Sequence, residues 1–110
     1  MGLETTTLEL GDINITVSEA SVTMGTRRGM MRGDALRLDI DNEAPEVWLL
    51  RVITFPDLIA ATMDVVGMQW PLSFEAFCDL PERIVNEWSD AVYRLTPHWR
   101  PVTADEEKNG

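Results

Sequence analysis

The side chains that could do chemistry in this sequence are few: one histidine, His98, one cysteine, Cys78, and a large supply of carboxylates. Hydrolysis or group transfer needs a nucleophile, a general base or a metal, and histidine is the usual base near neutral pH. His98 stands between Pro97 and Trp99, a setting that suits a structural histidine packed beside an aromatic ring better than a base. Cys78 lies between Phe77 and Asp79 and reads as a small buried hydrophobe, because no electropositive neighbour is at hand to favour its thiolate. Asp39, Asp41 and Glu43 alternate, but without the central glycine and closing glutamate of an EF-hand loop. Gly25, Gly29 and Gly33 recur every four residues, with neither the Gly-Lys-Ser/Thr of a phosphate loop nor a G-x-G-x-x-G. No catalytic, cofactor or metal site is expected, and the chain reads as a non-enzyme.

What remains to be positioned is apolar surface. The four Trp, three Phe and one Tyr all lie from Trp48 onward, and large aromatic side chains dominate burial energetics. The core is therefore expected in the second half, with residues 1–47 forming a layer laid upon it or an arm offered to a partner. Trp48, Phe55, Leu58, Trp70, Phe74, Phe77, Trp88 and Trp99, with Ile84 and Met68, form the pool from which core and partner-binding surface are both drawn. Spacing alone does not divide that pool.

The elements that carry these residues follow from periodicity. Leu8, Leu10, Ile13, Ile15 and Val17 alternate with polar residues around Gly11-Asp12, which predicts a β-hairpin over about 7–17. A hairpin alone is marginal in water, so it must pack on helices or pair with a neighbouring chain's edge. Ser18 is suited to cap a helix over about 19–36. Gly25, Gly29 and Gly33 fit either a break in that helix or a groove that another helix approaches closely. Asp39 to Pro45 reads as a loop. Val47, Leu50 and Ile53 lie on a helical stripe, Pro56 resets the chain, and helix resumes to near Gly67, giving helical structure over about 46–66. Ser73 caps a short helix over 73–80. Asp79 and Glu82 have the spacing of a capping box, and Ile84, Val85, Trp88, Ala91, Val92 and Leu95 follow as the apolar face of a helix over 80–95. The expected fold is mainly α with a short N-terminal β-hairpin, an α+β chain built as a small helical bundle. Residues 1–101 make one domain, and 102–110 an acidic disordered tail.

Composition narrows the function classes. The net charge of −10 over 110 residues repels nucleic-acid phosphates, so no nucleic-acid partner is expected. Arg27, Arg28, Arg32 and Arg37 are the one basic stretch; they read as a solvated face offsetting nearby acids, the alternative being a docking site for an acidic partner. A single cysteine suggests a reducing compartment. The start MGLETTTLEL has no basic and apolar leader, which predicts no secretory signal. Gly2 and Thr6 match only a short myristoylation pattern. No apolar run approaches the roughly 20 residues needed to span a bilayer, so no membrane partner is expected.

The run TFPDLIAATMDVVGMQWPLSFEAFCDLPERIVNEWSDAVYRLTPHW, Thr54 to Trp99, resembles the small tail assembly chaperones of long-tailed bacteriophages and prophages. The resemblance rests on four pieces in order: FPDLIAAT, WPLSFEAF, the LPE helix start, and TPHW after an amphipathic helix. Thr96 stands where Asn would be expected before Pro-His-Trp, and the N-terminal half carries no motif of the family. The resemblance implies a non-enzymatic protein without cofactors, present in the host cytoplasm and absent from the mature virion. Its client would be the tape measure protein, kept soluble during tail morphogenesis. A longer frameshifted form, extended from the acidic end, would engage tail tube protein. Two other classes stay open: a structural tail or connector subunit of the virion, and an acidic regulator that binds a basic protein partner. Self-association through the hairpin edge is a further expectation.

Overall fold

The computed structural model describes residues 2–38 and 40–101; the expected acidic tail, 102–110, lies outside the described residues. The chain begins with strands β1, Thr5–Leu10, and β2, Ile13–Ser18, paired antiparallel with Leu10 opposite Ile13. Gly11 takes the left-handed step between them, φ +68°, which glycine does at little steric cost. The hairpin expected over 7–17 is thus present and slightly longer.

Helix α1 runs Val22–Leu36 and is continuous through Gly25, Gly29 and Gly33. Its cap is Ser21, whose hydroxyl accepts from the Met24 N–H at 3.1 Å. Ser18 does not cap it, because the strand extends through Ser18, whose hydroxyl instead donates to the Glu19 carbonyl. The expected start at residue 19 is corrected accordingly. Neither reading of the glycines holds in full: the helix is unbroken, and a Cβ at Gly25 or Gly29 would meet open space instead of a neighbouring helix.

From Pro45 the chain is helical to Ala61, as α2, Pro45–Leu49, a π-helical turn, Leu50–Thr54, and α3, Phe55–Ala61. Pro56 does not reset the chain. The Phe55 N–H reaches back to the Leu50 carbonyl, and this wider turn accommodates a proline that lacks an N–H and would crowd a regular helix.

The helix expected to reach residue 66 ends at Ala61. Thr62–Val66 form β3, which pairs antiparallel with β2, Ile15 opposite Val65 and Val17 opposite Thr62, with an irregularity between Thr16 and Val17. Thr62, Val65 and Val66 are β-branched and suit a strand. The sheet order is β1-β2-β3, which places β2 in the middle with Ile15, Val17 and Ser18 buried. Gly67 then turns the chain with φ +94°, against the Asp12 carbonyl of the hairpin turn.

After a cis Trp70–Pro71 peptide, α4, Phe74–Cys78, is capped by Ser73. Helix α5 runs Glu82–Leu95 and buries Ile84, Trp88, Ala91 and Val92. The Asp79–Glu82 capping box does not form. Asp79 keeps helical backbone angles and closes α4, while the N-cap position of α5 is Pro81, with no side-chain cap. A 3₁₀ turn, Pro97–Trp99, follows.

The core lies between α5, α3 and the inner face of the sheet, around Trp88, Phe77, Leu58, Ile15 and Val17. The indole N–H of Trp88 donates to the Thr62 hydroxyl at 3.0 Å, and that hydroxyl donates to the Leu58 carbonyl at 2.6 Å. Two buried polar groups are satisfied where α3 hands over to β3. Thr96 likewise accepts from the Ala20 N–H at 2.8 Å, tying the hairpin exit to the end of α5. The fold is α+β and mainly helical, as expected. Gly67→Ala is expected to lower stability by about 2 kcal/mol or more, since its Cβ would overlap the Asp12 carbonyl at a positive φ; a urea midpoint unchanged from the parent would contradict the close approach.

Candidate functional site

The pool of apolar residues divides by burial. Leu58, Phe77, Trp88 and Trp99 are core, Phe55 and Phe74 are half-buried at its edge, and Trp48 and Trp70 keep 42% and 36% of their surface exposed. Phe55 meets Phe74 and Phe77 edge-on at 5.5 and 5.2 Å between centroids, the arrangement that the ring quadrupole favours. Trp70 leans over Trp88 at 6.5 Å between centroids.

Trp48 belongs to an open groove of about 590 Å³ whose lining mixes aliphatic and aromatic side chains with the polar Asn42 and Glu43. The end of α1 contributes Ala35 and Leu36, the following turn Leu38 and Ile40, and the start of α2 Pro45, Trp48 and Leu49. Asn42, with φ +60°, reverses the chain between them, a conformation that asparagine tolerates better than most residues. Glu43 braces the turn through Arg51, 2.9 Å away, and the Arg51 guanidinium lies 4.3 Å from the Phe74 ring centroid. Leu36, Leu38, Ile40 and Leu49 are exposed, as are Asp41 and Glu46. The leucine and isoleucine members were absent from the pool. Leu36 closes the expected helix, Leu38 follows it and Ile40 falls in the expected loop, so no single element's pattern joins them.

A second feature lies at the first turn of α3. Asp57 is fully buried. Its Oδ1 accepts from Arg28 Nε and from Arg32 Nη2 at 3.1 Å, and its Oδ2 accepts from the Tyr93 hydroxyl at 2.7 Å. The Arg28 guanidinium also lies 4.6 Å from the Trp99 ring centroid. Arg28 and Arg32, one helical turn apart, are therefore not part of a solvated face, whereas Arg37 pairs at the surface with Asp34 and Arg27 is exposed. Arg32 Nε is buried and meets no partner among the described residues. Burial first, then the hydrogen bond and charge of Asp57, raise the Tyr93 hydroxyl above its ordinary pKa of 10.0.

His98 is exposed, its ring edge-on to Trp99 at 6.5 Å. Cys78 is exposed as well, so its reading as a buried hydrophobe is corrected; the short α4 turns it outward while Phe77 fills the core. Partial desolvation pushes its thiol pKa up against the nearby Arg51, and Asp79 and Glu75 add to the rise. Among the described residues no group of three or more His, Cys, Asp and Glu side chains could hold a metal, and no helix is long and apolar enough to cross a membrane. Glu43 is engaged by Arg51.

Comparison with protein-family profiles, with characterised proteins and with solved structures finds no match.

Asp57→Ala is expected to cost about 2–3 kcal/mol in chemical denaturation, because it leaves two partly buried guanidiniums without their anion. Tyr93 holds its proton more tightly folded than unfolded, so its contribution is complete below about pH 10 and declines as the unfolded phenol ionises above that. The stability difference between the parent and Tyr93→Phe should be flat below that pH and narrow above it; a difference that widens at alkaline pH would contradict the hydrogen bond to Asp57.

Proposed function

We propose that the chain is a tail assembly chaperone of a long-tailed bacteriophage, which holds apolar helical segments of the tape measure protein in the cytoplasm of the host cell and leaves before the virion is complete. The observation that carries this reading is the groove. Leu36, Leu38, Ile40, Trp48 and Leu49 are all exposed around one concavity of about 590 Å³. Exposed large apolar side chains gathered with a few polar groups suit protein contact, and an amphipathic helix laying its stripe into a groove is a recurring way to fill one. The net charge of −10 supports the same reading, since a strongly charged holder keeps a complex with an apolar client in solution. The order of motifs from Thr54 to Trp99 supplies the phage context.

Several copies would line a long helical client. The outer edges of β1 and β3 have no strand partner in the three-stranded sheet and offer a means of copy-to-copy pairing. A longer product, extended beyond residue 110, would recruit tail tube protein.

Co-expression provides the test. The tape measure protein encoded beside this chain should appear in the soluble fraction with the chain present and in the pellet without it. Trp48→Ser combined with Leu49→Ser should cut the soluble yield several-fold while leaving the chaperone folded, because both side chains already face solvent; Trp70→Ser should cut it less. Equal solubility with and without the chain would remove the proposal. Finding the chain at stoichiometric level in purified virions would favour a structural tail subunit instead.

A further inference from the structure

The three-stranded sheet ends on two open edges, and they are not equivalent. The two-residue turn Gly11-Asp12 makes Leu10 and Ile13 the hydrogen-bonded pair that closes the hairpin, and such pairs alternate along an antiparallel ladder. Leu10, Leu8 and Thr6 therefore direct their N–H and C=O groups to β2. Glu4 follows the same alternation, its carbonyl accepting from the Glu19 N–H at 2.7 Å. Thr5, Thr7 and Glu9 then aim their backbone groups away from β2, and no strand meets them among the described residues. Their side chains are exposed, with the Thr7 hydroxyl 2.8 Å from that of Thr16. The usual guards of an edge are missing here: TTTLEL holds neither proline nor lysine, and its ladder with β2 is unbroken. The β3 edge offers less. Asp64 and Val66 turn toward Thr16 and Asn14 by the same alternation, so only Met63 and Val65 face outward. The irregularity of that ladder falls beside Met63, and such irregularities terminate pairing.

We infer that β1 pairs with β1 of a second copy of this chain, antiparallel about a two-fold axis at Thr7, to make one six-stranded sheet. Residues opposite each other in a ladder share a face, so odd positions must meet odd and even meet even. Of the registers that satisfy this, the one centred on Thr7 matches all three outward residues within β1. Thr7 meets Thr7 of the second copy, and Thr5 meets Glu9 at both ends, giving about six main-chain hydrogen bonds, two for each matched pair. The register sets each Thr5 hydroxyl beside a Glu9 carboxylate and keeps the two carboxylates apart. On the inner face it lays Thr6 alongside Leu8, which is only half-buried at the edge of the core. Helix α5 packs under both β1 and β2, so its two copies would lie two strand spacings apart across the axis, about 10 Å, an ordinary distance for packed helices. A strand that fits itself in this way closes the assembly at two copies, whereas β1 against β3 would add copies without limit. The pairing goes beyond the chaperone reading and rests on the sheet alone, so no client is needed to test it.

Sedimentation equilibrium of the full chain alone is the test, with hydrogen exchange to locate the contact. The chain should be dimeric at about 100 μM, and its dissociation constant should fall several-fold between about 0.05 and 0.5 M salt, because each copy carries −10 and salt screens their repulsion. The amides of Thr5, Thr7 and Glu9 should slow with rising concentration while those of Met63 and Val65 do not. Thr7→Pro removes an outward N–H that the ladder to β2 does not use, a place where an edge strand accepts proline, and should raise the dissociation constant at least about 10-fold. Thr7→Lys sets two like charges together on the axis and leaves the backbone alone. It should weaken the dimer about 5-fold or more, which gives a readout even if the proline variant fails to fold. Thr5→Lys places an ammonium opposite Glu9 and should tighten the dimer about 3-fold beyond Thr23→Lys, which makes the same charge change on α1. A chain that stays monomeric under all these conditions would overturn the inference. So would a dimer indifferent to both Thr7 substitutions, a Thr5→Lys gain no larger than that of Thr23→Lys, or species that grow past two copies.

Discussion

A carboxylate sealed from water sets the terms for much of this molecule. Asp57 has no exposure, and an ionised group in that position is tolerated only when its oxygens are matched by donors. Two elements distant in sequence supply them: α1 sends Arg28 and Arg32, and α5 sends Tyr93. Trp99 completes the enclosure by lying beside the Arg28 guanidinium, which remains cationic under all ordinary conditions. The acid thus decides where α1 lies and how the C-terminal end of α5 meets it, although the helix itself brings no buried apolar side chain to the bargain.

Parts of this were legible in the residue order and parts were not, for physical reasons. Alternation in Leu8–Leu10 and Ile13–Val17 around Gly11 is a two-residue period that only a strand exploits, and Ile84, Trp88, Ala91 and Val92 repeat with a helical period over fourteen residues. Both elements were readable. Thr62–Val66 is too short to show a period and becomes a strand because β2 offers an unpaired edge, which is a tertiary fact. Ser18 and Ser21 are equally good caps in isolation; the extra strand residues that cover the core decide for Ser21. The cluster at Asp57 has no local signature, because its members are spread along the chain from Arg28 to Tyr93 and acquire meaning only when folded. Arg28 and Arg32 could have hinted at it, since a pair one turn apart must share a face.

Charge and aromatic surface meet again beside the groove, where Glu43 holds Arg51 and the Arg51 guanidinium lies over Phe74. Burial raises the Cys78 thiol above its ordinary pKa, and His98 is exposed beside Trp99.

The widened turn at Leu50–Thr54 stands between Trp48 and Asp57. An α-helix rotates about 100° per residue, so one residue's worth of slack in the winding offsets everything downstream by roughly a quarter revolution relative to everything upstream. One rod thus carries exposed Trp48 and Leu49 near its start and buried Asp57 and Leu58 near its end, and the residue gained in the widened turn is taken up just where Pro56 brings no N–H to the ladder.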